Sequence, residues 1–93
     1  MKAIWNGAVI AESNDTIEID GAKYFPISSV KKEFLKPSEF TTICSWKGTA
    51  SYNDIVVDGK TNKNAAWIYK SIKSPSAKAI EGRVAFWNGV EVQ

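Results

Sequence analysis

Histidine is absent from this chain of 93 residues, and cysteine occurs once. Without imidazole there is no Ser-His-acid triad and no Cys-His pair. One thiol and no imidazole cannot close a tetrahedral zinc site within one chain, and a single cysteine excludes an intramolecular disulfide, as in proteins of reducing compartments. A metal would have to rest on carboxylates and carbonyls, which favour magnesium or calcium. Asp54 and Asp58 are the carboxylates to consider, and Asp58 is already explained by a turn, so neither a metal site nor a cofactor is expected. Glycine-rich phosphate loops are missing too: neither Gly-x-x-x-x-Gly-Lys-Ser/Thr nor Gly-x-Gly-x-x-Gly occurs. Arginine is reduced to Arg83, the net charge is only +2 and the lysines are spread along the chain, a pattern that argues against nucleic acid as a partner. No run approaches the roughly 20 apolar residues that span a bilayer, and no long apolar segment follows Lys2, so neither a membrane nor a secretory signal is expected and the cytoplasm is the expected location.

Turns and aromatics are plentiful by contrast. Asn6-Gly7, Asp20-Gly21, Asp58-Gly59 and Asn88-Gly89 each offer the positive-φ residues of a tight hairpin turn. Apolar or alternating segments flank them: Ala3-Ile4-Trp5 and Ala8 to Ala11 at the first, Thr16 to Ile19 and Ala22 to Phe25 at the second. Ile55-Val56-Val57 and Ala65 to Tyr69 bracket a longer loop that begins at the third, and Val84 to Trp87 and Val90-Glu91-Val92 flank the fourth. This patterning predicts a mainly β fold: one compact antiparallel domain over residues 1–93, built of successive hairpins, with one or two short helices. Ser28 to Leu35 reads as one helix, capped by serine and stopped by Pro37. Ser74 to Glu81 reads as the other, ended by Gly82.

The richest chemistry lies in Cys44-Ser45-Trp46-Lys47-Gly48-Thr49-Ala50. A cation near Cys44 would lower its thiol pKa from about 8.5, and Lys47 is three residues away; a small buried hydrophobe at the end of a strand is the other reading of Cys44. Lys47 can serve as base or anion binder, or stand as a surface lysine on the turn at Gly48. The aromatics Tyr24, Trp46, Tyr52, Trp67 and Tyr69 either line a ligand site or pack a small core. Trp67 and Tyr69 share one sheet face. Glu12 and Ser13, after the first hairpin, are further candidates to reach the site.

Several of these motifs together resemble the family catalogued as domain of unknown function 427, sometimes labelled a nucleotidyltransferase. The resemblance runs through Trp5-Asn6-Gly7, Ile10 to Ser13, Tyr24-Phe25-Pro26, Cys44 to Tyr52, Ala66 to Tyr69 and Ile80 to Trp87. Ser45 stands where the family usually has proline, and Lys23 where histidine or another polar residue is common. The stretch Lys70 to Pro75 is longer. The resemblance implies a tent-like arrangement of two small antiparallel sheets without zinc cysteines. The paired acidic residues beside a Gly-Ser motif that nucleotidyltransferases use are absent. The expected function is binding of a small anionic or planar molecule in a pocket around Cys44, Trp46, Lys47, Tyr52, Trp67 and Tyr69. Catalysis by Cys44 and Lys47 is left open, and a non-catalytic interaction module, including single-strand nucleic-acid binding, is the alternative.

Overall fold

The computed structural model describes residues 1–93 as nine strands in three antiparallel sheets. Strands β1 (Lys2–Trp5) and β2 (Ala8–Glu12) form the first hairpin, β3 (Ile17–Ile19) and β4 (Ala22–Tyr24) the second. Three long strands, β5 (Leu35–Cys44), β6 (Gly48–Val57) and β7 (Lys60–Tyr69), run back and forth, followed by the short β8 (Val84–Phe86) and β9 (Glu91–Val92). The mainly β reading therefore holds, with three sheets rather than two: β2-β1-β9, β3-β4 and β5-β6-β7-β8. The third sheet arises because the chain leaves β2 through Ser13 to Thr16, where Arg83 grips the carbonyl and carboxylate of Asp15. The hairpin that follows then pairs only with itself, beyond one bridge from Phe25 to Val84.

The expected turns lie where the chain reverses, with Asn6, Asp20, Asp58 and Asn88 all at positive φ. The longer loop expected after Asp58-Gly59 does not form: Val57 pairs directly with Lys60, and the segment up to Asn64 belongs to β7 because it continues the ladder with β6. The turn at Asn88-Gly89 has a different job from the one expected. It does not close a hairpin, since β8 belongs to the long sheet and β9 pairs with β1; it hands the chain from one sheet to the other. The two Trp-Asn-Gly turns meet the β6–β7 hairpin from both strands. Asn6 donates to the Val57 carbonyl, Asn62 donates to the Asn88 carbonyl and Asn88 donates to the Asn62 side chain.

The helix expected over Ser28 to Leu35 does not form. Two single 3-10 turns, Ile27–Ser29 and Lys32–Phe34, take its place. Between them Val30 bridges to Ala11, and the Lys31 amide donates to the Ile10 carbonyl at 2.8 Å. Those bonds to β2 hold the backbone extended and interrupt any helical ladder. Pro37 does not stop a helix; it lies within β5, on the edge of the long sheet, where a missing N–H costs least. The second expected helix is a 3-10 helix over Pro75–Ile80.

Side chains alternate across the long sheet, so it carries a core on each face. On one, Ile55, Val57, Ala66, Val84 and Phe86 pack with Ala3, Ile10 and Ala11 of the first sheet and with Phe25 and Val30. On the other, Ala50, Tyr69 and Ala85 pack under Tyr24, Ile72, Ala77 and Ile80, joined at the margin by Cys44, Tyr52, Trp67 and the β3–β4 hairpin. No helix is long and apolar enough to cross a membrane.

Candidate functional site

Register assembles the site on this second face. Thr42 lies opposite Ala50 and Ala50 opposite Tyr69; Tyr52 lies opposite Trp67 and Trp67 opposite Ala85. Directly opposed residues in an antiparallel sheet point the same way, and Cys44, two residues on from Thr42, joins them. Their side chains form a continuous aromatic run. Phe40 meets Tyr52 edge-on at 4.9 Å between ring centres, Tyr52 lies 6.2 Å from Trp67, and Trp67 meets Tyr24 edge-on at 6.2 Å. Polar tips are tied together as well: the Trp67 indole N–H donates to the Tyr24 hydroxyl at 3.2 Å, and the Thr42 and Tyr52 hydroxyls are 3.2 Å apart. Phe40, 47% exposed, forms the open end of the run.

Lys47 closes the other end. The turn Ser45 to Lys47 joins β5 to β6, with Cys44 directly across from Gly48. Gly48 has φ +119°, and a Cβ there would meet the Ser71 carbonyl at 3.0 Å. Only glycine lets the hairpin end lie this close to the following loop, which the Lys73 amide secures by donating to the Lys47 carbonyl. The Lys47 side chain turns inward, 8% exposed, and its Nζ donates to Asp20 Oδ2 at 2.6 Å. The ammonium also lies 4.9 Å from the centre of the Trp46 ring and 5.9 Å from that of Tyr69, within the range of cation–π attraction. Asp20 is 64% exposed, so one end of the ion pair is in solvent.

Burial pulls the Lys47 pKa down. The hydrogen bond to Asp20 and the charge of that carboxylate, with the phenolates of Tyr24 and Tyr69 once these ionise, outweigh it, and the net value is above the ordinary 10.5. Lys47 is thus an ammonium at neutral pH. Burial raises the phenols of Tyr24 and Tyr69, against the opposing pull of the Trp67 hydrogen bond on Tyr24 and of the Lys47 charge on both.

Of the residues singled out in the sequence, Cys44, Trp46, Lys47, Tyr52, Trp67, Tyr69 and Tyr24 come together here. Cys44 is a free, half-buried thiol packed at the margin of the second core, and no hydrogen bond joins it to Lys47. Glu12 and Ser13 lie elsewhere, at the end of β2 and just beyond it: Glu12 pairs with Lys2, and Ser13 accepts from the Asp15 amide. Asp54 accepts from the Asn64 amide, supporting the irregular pairing where β6 and β7 shift register. Asp20 escaped the sequence reading. Its turn role accounts for it fully there, and nothing local signals a partner 27 residues away.

A depression of about 300 Å³ lies beside the same hairpin end but is lined by other residues: Gly48, Thr49, Ser51, Lys70, Ser71 and Lys73. Thr49 and Ser51 flank Ala50 on β6, so by alternation they point away from the aromatic run.

The family model described as Domain of unknown function (DUF427) matches residues 1–93, the whole chain, and the chain belongs to that family. No curated protein matches it.

Proposed function

We propose that this member of the DUF427 family binds a small planar anion, its ring against the Tyr52–Trp67 run and its charge on Lys47. The observation that carries the reading is the Lys47–Asp20 pair. A lysine almost wholly removed from water is paired with a carboxylate that is mostly in water, so an incoming carboxylate or phosphate can take the place of Asp20 while Asp20 is solvated at little cost. An ammonium boxed by Trp46 and Tyr69 is partly desolvated, which strengthens its attraction to an anion. Its raised pKa supports anion binding over general-base work, since a base must be unprotonated at the working pH. Cys44 serves as part of the wall.

Titrating the protein with benzoate and with adenosine monophosphate, followed by amide and indole NMR shifts, tests this. Saturable shifts at the Trp67 indole N–H and at residues 20–24 and 46–47 are expected. Lys47→Met should abolish them, and Asp20→Asn, which removes the resident competitor, should tighten binding. Shifts that survive Lys47→Met, or binding that weakens in Asp20→Asn, would overturn the proposal. A second reading, an aromatic platform for single-stranded nucleic acid, draws on the half-exposed Phe40 at the open end of the run. An oligothymidylate that shifts Phe40 and Tyr52 independently of Lys47 would favour it.

A further inference from the structure

Beyond that reading, the depression beside Gly48 has the makings of a site of its own. Its wall holds no hydrophobic side chain and no carboxylate: it is Gly48, Thr49, Ser51, Lys70, Ser71 and Lys73. Every acidic side chain in an ion pair of this protein faces some other cation: Glu12 faces Lys2, Glu18 faces Lys23, Asp20 faces Lys47, Glu81 faces Lys78 and Asp15 faces Arg83. Lys70 and Lys73 face none. Several hydroxyls elsewhere in the fold, those of Ser13, Ser29, Ser38 and Thr42, are each hydrogen-bonded to a protein group. The hydroxyls of Thr49, Ser51 and Ser71 have no such partner. Two lysines without a carboxylate partner and three residues with unengaged hydroxyls therefore line one concavity, beside the close approach of Gly48 to the Ser71 carbonyl.

We infer that this depression is a binding site for a phosphate monoester. Two ammonium groups match the double charge that a monoester carries above its second pKa of about 6, and free hydroxyls suit its several acceptor oxygens. A phosphodiester has one charge and two ester substituents, and fits less well. The volume accommodates a phosphate with a small attached group, at the low end of the roughly 300–1,000 Å³ of small-molecule sites. Because Thr49 and Ser51 point away from the aromatic run, the site works independently of Lys47.

The test is an amide NMR titration of the whole chain with inorganic phosphate and with glycerol phosphate, at constant ionic strength maintained with chloride. Saturable shifts are expected at residues 48–51 and 70–73. Lys70→Gln with Lys73→Gln should weaken binding by about tenfold or more, whereas Lys47→Met should leave it unchanged. Affinity should fall as the pH drops below about 6, where the monoester becomes a monoanion. Equal shifts from chloride alone, equal or tighter binding of a dialkyl phosphate, or indifference to the double substitution would each overturn the inference. Since both lysines are exposed, the double variant should fold, and an unchanged urea midpoint establishes that it does. Were the urea midpoint lowered, the single variants Lys70→Gln and Lys73→Gln, each expected to weaken binding on its own, would take its place.

Discussion

An ammonium group with 8% of its side-chain surface in water depends on its neighbours for its charge, and at Lys47 the dependence is lopsided. Losing Asp20 leaves a charge in a dry place, whereas losing Lys47 leaves Asp20 in water. Asp20→Asn should therefore cost more stability than Lys47→Met, by about 1–2 kcal/mol after allowance for the exposed half of the pair. Urea unfolding of the two variants measures it, and the reverse order would mean that Lys47 gains little from Asp20. The same residues set an alkaline limit. Lys47 holds its proton above the ordinary 10.5, and Tyr24 and Tyr69 hold theirs above the ordinary 10.0. In each case the folded state binds the proton more tightly than the unfolded chain, so the stability they contribute is complete below those ordinary values. It is lost as the pH rises through the higher folded values. The urea midpoint should be level, as far as these groups decide it, up to about pH 9 and decline above 10. A midpoint that holds or rises above pH 10 would contradict the assigned directions.

Among the elements, the β5–β6 hairpin is the one on which both candidate sites depend, through Gly48. Gly7 and Gly48 both have positive φ, but a Cβ on Gly7 meets nothing within 4 Å, while one on Gly48 meets the Ser71 carbonyl at 3.0 Å. Gly7→Ala should cost only the backbone strain of a side chain at positive φ, about 1–2 kcal/mol. Gly48→Ala adds a clash with backbone that cannot swing aside, so it should cost at least about 1 kcal/mol more. Equal losses in the two variants would show that the loop at Ser71 yields freely. The short segment around Val30 makes a related point about elements. Serine, lysine and a following proline are consistent with a helix there, yet Val30 is held extended by bonds to β2. Local preference gave way to a partner that lies far off in the sequence.

For the molecule as a whole, the long sheet is shared by two cores that do not touch across it. Ile55 is buried in one and Ile80 in the other, both completely. Replacing either by alanine should cost about 2–5 kcal/mol, a large part of the roughly 5–15 kcal/mol that stabilises a domain of this kind. Because β6, β7 and β8 have side chains in both cores, neither core can melt alone. Each variant should unfold in one transition seen alike by far-ultraviolet circular dichroism and tryptophan fluorescence, and separated transitions would show that the cores are independent.

The strand content, the turns at Asn6-Gly7, Asp20-Gly21 and Asp58-Gly59, and the shared face of Trp67 and Tyr69 were legible in the chain because they rest on short-range rules. Alternation puts Trp67 and Tyr69 on one face, and positive φ selects Asn-Gly and Asp-Gly whatever the surroundings. Tertiary structure alone decided that the turn at Asn88-Gly89 passes between sheets, since β9 finds its partner in β1 at the opposite end of the chain. It decided that Asp20, sufficiently explained as a turn residue, is also the counter-ion of Lys47. It also decided that Lys70 and Lys73, ordinary solvated lysines in sequence, face a depression with Thr49 and Ser51. The physical reason is the same in all three cases: which groups share a charge or a surface depends on how strands distant in sequence are brought side by side, and a pattern with a period of two residues carries no record of that pairing.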